Sequence, residues 1–341
     1  MVSEAPPFWW TKADWRAWAL YPLSLAYGAV ARRRLLKAPR EKVDAPVICV
    51  GNLTVGGSGK TPVAIALARE ASAMGLKPGI LSRGHGGSVG HPHLVDAHHD
   101  IARHVGDEPL LLARAAPVAV TADRAAGARL LIDHGCDLLI MDDGFQSARV
   151  FIDYALIVVD ARRGVGNGHT IPGGPMRATL VDQMRYADGV LKVGDGEGAD
   201  ATLRQAARAG RPFFEASIRS LAPDGFEGTR CLAFAGIGDP GKFFDTVSAV
   251  GGIPVVTKNF ADHHFYSEFD AQDLLATADS QGLEIVTTAK DAVRLDHGTE
   301  ALAALRRRAK IIEIEAVFEL ERAPRTIIDA ALDSWRRRRL T

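Results

Sequence analysis

From Val47 onward, short apolar runs alternate with stretches in which apolar residues return every three or four positions. "VICVG" (47–51), "GILS" (79–82), "PVAVT" (117–121), "LLIMD" (138–142) and "ALIVVD" (155–160) read as strands buried on both faces. Between them, Pro62–Met74 and Asp123–His134 carry helical periodicity. Buried strands separated by helices predict an α/β fold, a mostly parallel sheet with helices on both faces and with ligands at the strands' carboxyl ends. "RRGVGNGHTIPGGPMR" (162–177) is too rich in glycine and proline for a regular element and reads as a long loop; "APDGFEGT" (222–229) reads as a linker. The alternation then resumes in "CLAFAGI" (231–237), "IPVVTKNF" (253–260), "LEIVTTA" (283–289) and "KIIEIEAV" (310–317). The expected division is an N-terminal segment over 1–40, a first domain over 41–225 and a smaller α/β/α domain over 226–341. The tail "DSWRRRRL" reads as the end of a basic amphipathic helix.

The first segment breaks this pattern. Trp9, Trp10, Trp15 and Trp18 are four of the five tryptophans, and Tyr21 and Tyr27 follow. Rings with an apolar body and a polar tip favour a membrane–water boundary. The uncharged run from Ala17 to Ala31 is shorter than the roughly 20 residues a spanning helix needs, and Pro22 and Gly28 interrupt it. Arg32, Arg33, Arg34, Lys37, Arg40 and Lys42 come next, suited to anionic headgroups. We expect an interfacial helix. A secretory signal does not fit, because Glu4 and Asp14 precede the run and no small-residue cleavage site stands out.

Composition narrows the remaining classes. With 41 basic and 41 acidic residues in 341, no global charge attracts nucleic acid. Cys49, Cys136 and Cys231 are scattered through apolar runs without zinc spacing and read as reduced core residues.

The chemistry starts at "GNLTVGGSGKTP" (51–62), placed between a strand and a helix. Consecutive backbone N–H groups at such a turn can converge on phosphate, and the helix behind it offers its positive end. Thr54, Val55, Gly56, Gly57, Ser58, Gly59, Lys60 and Thr61 form the expected nucleotide loop. Gly56, Gly57 and Gly59 are expected to supply the curl, with left-handed conformations at Gly56 and Gly57, Lys60 to reach the β- and γ-phosphates, and Thr61 to place its hydroxyl on Mg²⁺. Thr54 occupies the position where the strict phosphate-loop pattern has glycine. Asp142 and Asp143 end a hydrophobic strand, where such a loop expects an acid for the metal. Strand alternation would send the two carboxylates to opposite sides.

"GNLTVGGSGKTP", "LSRGHGG", "GDEP", "MDDGFQ", "FADHHFYS" and "TTAKDAVRL" occur in the order seen in the tetraacyldisaccharide 4'-kinase (lipid A 4'-kinase) family, which the chain resembles over nearly its whole length. The resemblance implies two α/β/α domains around a cleft and a peripheral (monotopic) place on the cytoplasmic face of the bacterial inner membrane. It implies transfer of the ATP γ-phosphate to the 4'-hydroxyl of a tetraacylated glucosamine disaccharide 1-phosphate. The cofactors would be ATP and Mg²⁺. It also implies that Asp107 of "GDEP" and His263 of "DHH" act together in catalysis, with Lys60. Because they fall on different expected domains, closure around both substrates is expected to assemble the site. Arg83, Arg177 and Arg185 are candidates for the substrate's 1-phosphate.

On spacing alone, Asp107 and Glu108 before Pro109 simply open a helix, and His263 and His264 occupy a polar loop. The chain also departs from the family pattern: His85 stands where tyrosine is usual, and "SARVFID" after "DDGFQ" keeps only Arg149 of the usual basic residues. His91, His93, His98, His99 and His104 crowd one segment, read as a solvated loop because their mixed spacings lack thiols. Two other classes compete. A membrane-docking nucleotide switch of the partition type would carry lysine where Val55 stands. A soluble small-molecule kinase or ligase would leave the aromatic N-terminus without a purpose.

Overall fold

The computed structural model describes residues 5–57, 59–146, 149–296 and 298–340, so Ser58, Ser147 and Ala148 lie outside the described residues. Twelve strands form one sheet: β1 (Val47–Asn52), β2 (Pro78–Ser82), β3 (His93–Leu94), β4 (Val118–Val120), β5 (Leu138–Asp142), β6 (Tyr154–Asp160), β7 (Gly189–Val193), β8 (Phe213–Leu221), β9 (Arg230–Ala235), β10 (Ile253–Asn259), β11 (Glu284–Thr288) and β12 (Ala309–Phe318). Their spatial order is β10-β9-β11-β12-β8-β7-β6-β1-β5-β2-β4-β3. All neighbours are parallel except β3–β4 and β8–β12. Strands β1, β2, β4 and β5 are buried along their whole length, as their unbroken apolar runs require.

The sheet continues across the expected boundary near residue 225. Strand β8 pairs with β7 through Phe213–Ala216 and with β12 through Ala216–Leu221. Strand β12 pairs parallel with β11 through Ala309–Ile312 and then turns its later residues to β8. The last helix, Ala323–Leu340, packs back on the helix Lys60–Ala73, burying Ile327, Ile328 and Ala331 in one core with Ile48, Leu67 and Ile140. Its Arg338 pairs with the buried Asp153. Neither β7 nor β8 stands out in the hydrophobic pattern. Lys192 interrupts the first, and the second alternates only weakly along its half-exposed length.

Two helices open the chain, α1 (Trp15–Ala19) and α2 (Tyr21–Lys37), and their polarity is inverted. The residues turned inward are Ala17, Ser24, Gly28 and Leu35, mostly small. The Ser24 hydroxyl donates to the Thr170 carbonyl (2.8 Å) and accepts from Gly173 N–H (3.0 Å), and the Thr170 hydroxyl donates to the Ser24 carbonyl (2.8 Å). Trp15, Trp18, Leu23, Leu25 and Val30 point outward, with Trp15 76% exposed. A helix of a water-soluble body normally buries its large apolar face. No helix among the described residues is long and apolar enough to cross a membrane. The long loop at 162–177 is the seat of these helices, and Trp9 reaches it as well through Nε1–H to the Pro172 carbonyl.

Candidate active site

The phosphate loop joins β1 to α3 (Lys60–Ala73), whose buried Val63, Ala64, Leu67, Ala68 and Ala71 anchor it under the sheet. Gly56 and Gly59 hold positive φ, +97° and +80°. This corrects the expectation for Gly57, which keeps a conformation open to other residues. Gly59 is the residue that caps α3, so the left-handed turn falls where the chain enters the helix. The loop's start is stitched to the 162–177 loop by Val55 N–H to the Pro175 carbonyl (2.9 Å) and by a bridge between Thr54 and Met176. Asn52 Nδ2 donates to the Gly56 carbonyl at 3.1 Å.

Asp142, at the end of β5, accepts a hydrogen bond on Oδ2 from the Thr61 hydroxyl at 3.2 Å. Its Oδ1 is buried without a partner among the described residues. Burial pushes this carboxyl up to about 7; Glu108 and Asp143 add to the rise and Lys60 opposes it. Asp143 does not follow the strand's alternation. Its φ of +59° ends the strand abruptly, and its carboxylate meets Lys60 Nζ (3.9 Å) and, bidentately, Arg177 (3.0 and 3.1 Å). Both aspartates therefore face loop residues, correcting the expectation of opposite sides. Burial would raise Asp143 too, but Lys60 and Arg177 hold it below the ordinary carboxylate range. Arg177 is thus engaged within the site, Arg185 lies 3.8 Å from Asp182, and Arg83 is exposed.

A second cluster forms where α4 (Ala102–Val105) passes through Gly106 into α5 (Asp107–Leu112). Asp107 is 4% exposed and accepts on Oδ2 from His263 Nδ1 (3.1 Å), from Arg294 Nε (3.1 Å) and from Arg294 Nη2. Burial alone would raise Asp107; the His263 hydrogen bond and the charges of Arg294 and Lys290 overcome it and hold the carboxyl well below its usual range. The same hydrogen bond raises His263. His263 sits at φ +56°, in a turn closed by His264 N–H to the Ala261 carbonyl (3.0 Å), and its own N–H ties that turn to the Gly236 carbonyl at 3.1 Å. Asp107 and His263, 156 residues apart, touch in the chain by itself, where closure around substrates had been expected to bring them together. Lys290 adds a further link between α5 and the helix Ala289–Leu295, 2.7 Å from Glu108.

The histidine-rich segment is less solvated than its composition suggests. Asp100 is buried and accepts from His93 Nε2 (2.6 Å) and His104 Nδ1 (3.3 Å). Those three could gather around a cation, but each ligand atom is already hydrogen-bonded within the cluster.

The sequence reading passed over Arg294 although it lies inside "TTAKDAVRL", three residues after Asp291 on the same helix face. That i, i+3 spacing of opposite charges was the available signal.

A glycine-rich turn between a buried strand and a helix, with lysine and threonine at the helix start and an aspartate ending the neighbouring strand, is the architecture of a P-loop α/β nucleotide-binding protein. The chain belongs to the tetraacyldisaccharide-1-P 4'-kinase family, whose model matches residues 16–333. The tetraacyldisaccharide 4'-kinase of Mesorhizobium japonicum is 62% identical over 341 residues, covering 100% of this chain and 99% of that one. That of Chelativorans sp. is 56% identical over 339 residues, with 99% of each covered. Among solved structures, the "apo" form LpxK from Aquifex aeolicus in complex with ATP superposes with a TM-score of 0.73 at 24% identity, covering 92% of this chain and 99% of that one. It shares the fold.

Proposed function

We propose that this protein is an ATP-dependent lipid kinase that transfers the γ-phosphate to the 4'-hydroxyl of a tetraacylated glucosamine disaccharide 1-phosphate, working from the cytoplasmic face of the inner membrane. The observation that carries the reading is the pairing, in one family member, of a phosphate loop backed by Asp142 with the Asp107–His263 pair, which joins α5 to the loop after β10.

The loop's backbone N–H groups and the α3 terminus cradle the phosphates, and Lys60, held near Asp143, reaches the transferring group. Thr61 and Asp142 suit Mg²⁺, because Asp142 keeps a buried oxygen with no other partner and an elevated proton affinity that a cation would relieve. Asp143, tied by Arg177, is the less available of the two carboxylates. When bound, the ion neutralises charge on the phosphate oxygens.

The acceptor's proton goes to the Asp107–His263 pair. Phosphoryl transfer passes through a loose transition state in which the attacking hydroxyl forms its bond late, so position matters more than base strength. That suits a carboxylate with low proton affinity, held rigidly by three donors.

The acyl chains stay in the bilayer while the sugar rises to the interface, and the outward aromatic face of α1 and α2 meets it there. Purified protein should transfer label from ATP to the acylated disaccharide. Label passing instead to a soluble metabolite, with none on the lipid, would overturn the reading.

A further inference from the structure

We propose that Arg294 is a positioning residue for phosphoryl transfer, fixing the plane of the Asp107 carboxylate against His263; this rests on the dyad reading above. The guanidinium is immobilised at both ends. Its side chain is 1% exposed. On one side, Nη1 donates to the Gly236 carbonyl (2.6 Å) and to Asp291 Oδ1 (2.9 Å). Asp291 is fully buried and held in turn by Gly236 N–H (3.0 Å), the Tyr266 hydroxyl (2.8 Å) and the Thr288 hydroxyl (2.6 Å). On the other side, Nε and Nη2 both reach Asp107 Oδ2, the oxygen that also meets His263 Nδ1.

An arginine serving only to neutralise a carboxylate would more usually span both oxygens. Here three donors from two segments crowd Oδ2, while Oδ1 accepts one backbone bond, from Glu108 N–H at 2.8 Å. Oδ1 therefore keeps a lone pair for a further partner. The arrangement also joins β9's end, α5 and the helix Ala289–Leu295 at a single guanidinium, so a shift in any of them moves the dyad.

The groups facing Asp107 are His263 from the loop after β10, Arg294 and Lys290 from the helix Ala289–Leu295, and Glu108 on its own helix. His263 is faced in addition by Asp262 and by the His85 ring. Among these, Arg294 supplies the fork geometry, which lysine cannot reproduce.

The test uses full-length Arg294→Lys and Arg294→Gln, with kcat and KM for the acylated disaccharide measured from about pH 5 to about pH 9, alongside ATP affinity and Tm. Arg294→Lys should remain folded with unchanged ATP affinity and lose roughly ten- to a hundredfold in kcat. Its acidic limb should move to higher pH, because an Asp107 carboxylate deprived of the fork, itself ionised throughout this range, holds the proton on His263 more tightly. Arg294→Gln should move it further. A purely structural arginine would lower Tm and scale activity equally at every pH, so variant profiles that superpose on the wild type after scaling would overturn the inference while leaving the kinase reading intact. If the wild type itself transfers nothing to the disaccharide, the kinase reading falls and takes the inference with it.

Discussion

Two aspartates, each buried to within a few per cent of full cover, sit in opposite electrostatic settings. Asp107 is surrounded by donors and kept ionised by His263, Arg294 and Lys290. Asp142 has one neutral hydroxyl on one oxygen and nothing on the other, and burial lifts it to about 7. The protein completes the first site with its own residues and leaves the second to be completed by a ligand. Removing either carboxylate should therefore cost function, while stability should move in opposite directions.

The largest effect is expected at Asp107. Asp107→Ala leaves Arg294 buried with its fork empty and should cost about 3–5 kcal/mol of stability, as broken buried pairs do. Transfer should fall as well, by roughly a hundredfold or more. The pH dependence has a definite sign. A carboxyl whose folded proton affinity is depressed stabilises above its unfolded pKa of about 4 and loses that contribution as pH falls through the folded value. The deficit of Asp107→Ala, read by thermal or urea unfolding, should therefore be full near neutrality and shrink in acid. A deficit that does not vary with pH would break the comparison.

Asp142→Asn should behave in reverse. Ionising Asp142 in its buried place opposes folding, so the wild type should lose up to about 4 kcal/mol relative to the variant as pH rises from about 4 to about 7. The variant should match or exceed wild-type stability at neutral pH without nucleotide, yet lose nearly all Mg²⁺-dependent turnover. Removing Mg²⁺ with a chelator should reduce wild-type transfer to the same floor. A drop in Tm for Asp142→Asn, measured in the same buffers, would show that its unpaired oxygen is not a source of instability.

These two carboxylates also differ in how far the sequence disclosed them. The phosphate side is contiguous: glycine, lysine and threonine follow a buried strand within a dozen residues, and the acid ends another apolar run. Local chemistry was enough, although the left-handed turn of Asp143 could not be read from alternation. Asp107 and His263 were legible only through the order of motifs shared with a family, since Asp107 before a proline looks like an ordinary helix start. Arg294 was invisible as a partner because its meaning comes from a contact 187 residues away. The parallel sheet was legible where strands are unbroken apolar runs and was lost at β7, which Lys192 interrupts, and at β8, where exposure blurs the pattern.

His263 offers a finer cut. It is partly exposed, and its hydrogen bond to Asp107 is one of several on that oxygen, so His263→Gln should cost little stability while turnover falls by roughly a hundredfold. Because Asp107 remains held by Arg294, the acid part of the pH–stability curve should keep its shape, while the contribution of the raised His263, present below about pH 6.5 and lost as pH rises through its folded value, should disappear. A loss of stability as large as that of Asp107→Ala would mean that the histidine, and not the arginine, closes this site.

The smallest effect on the folded body is expected at the N-terminal helices, where the logic of an unfinished surface recurs in apolar form. Small inward residues on α1 and α2 secure the contact with the 162–177 loop, so outward rings can be exchanged without opening a cavity. Trp15→Ser with Trp18→Ser should leave the unfolding free energy within about 1 kcal/mol of the wild type. ATP affinity and the pH–stability signatures of both aspartates should be unchanged. Binding to vesicles containing anionic phospholipid should weaken by at least about tenfold, since two large rings no longer enter the interface. Transfer to substrate in vesicles should fall in parallel, and transfer to detergent-dispersed substrate should fall less. Unaltered vesicle binding would remove these rings from the membrane contact. A shift in either aspartate's titration would show that the 162–177 loop, which touches α2 at Thr170 and the phosphate loop at Pro175, carries strain from one surface to the other.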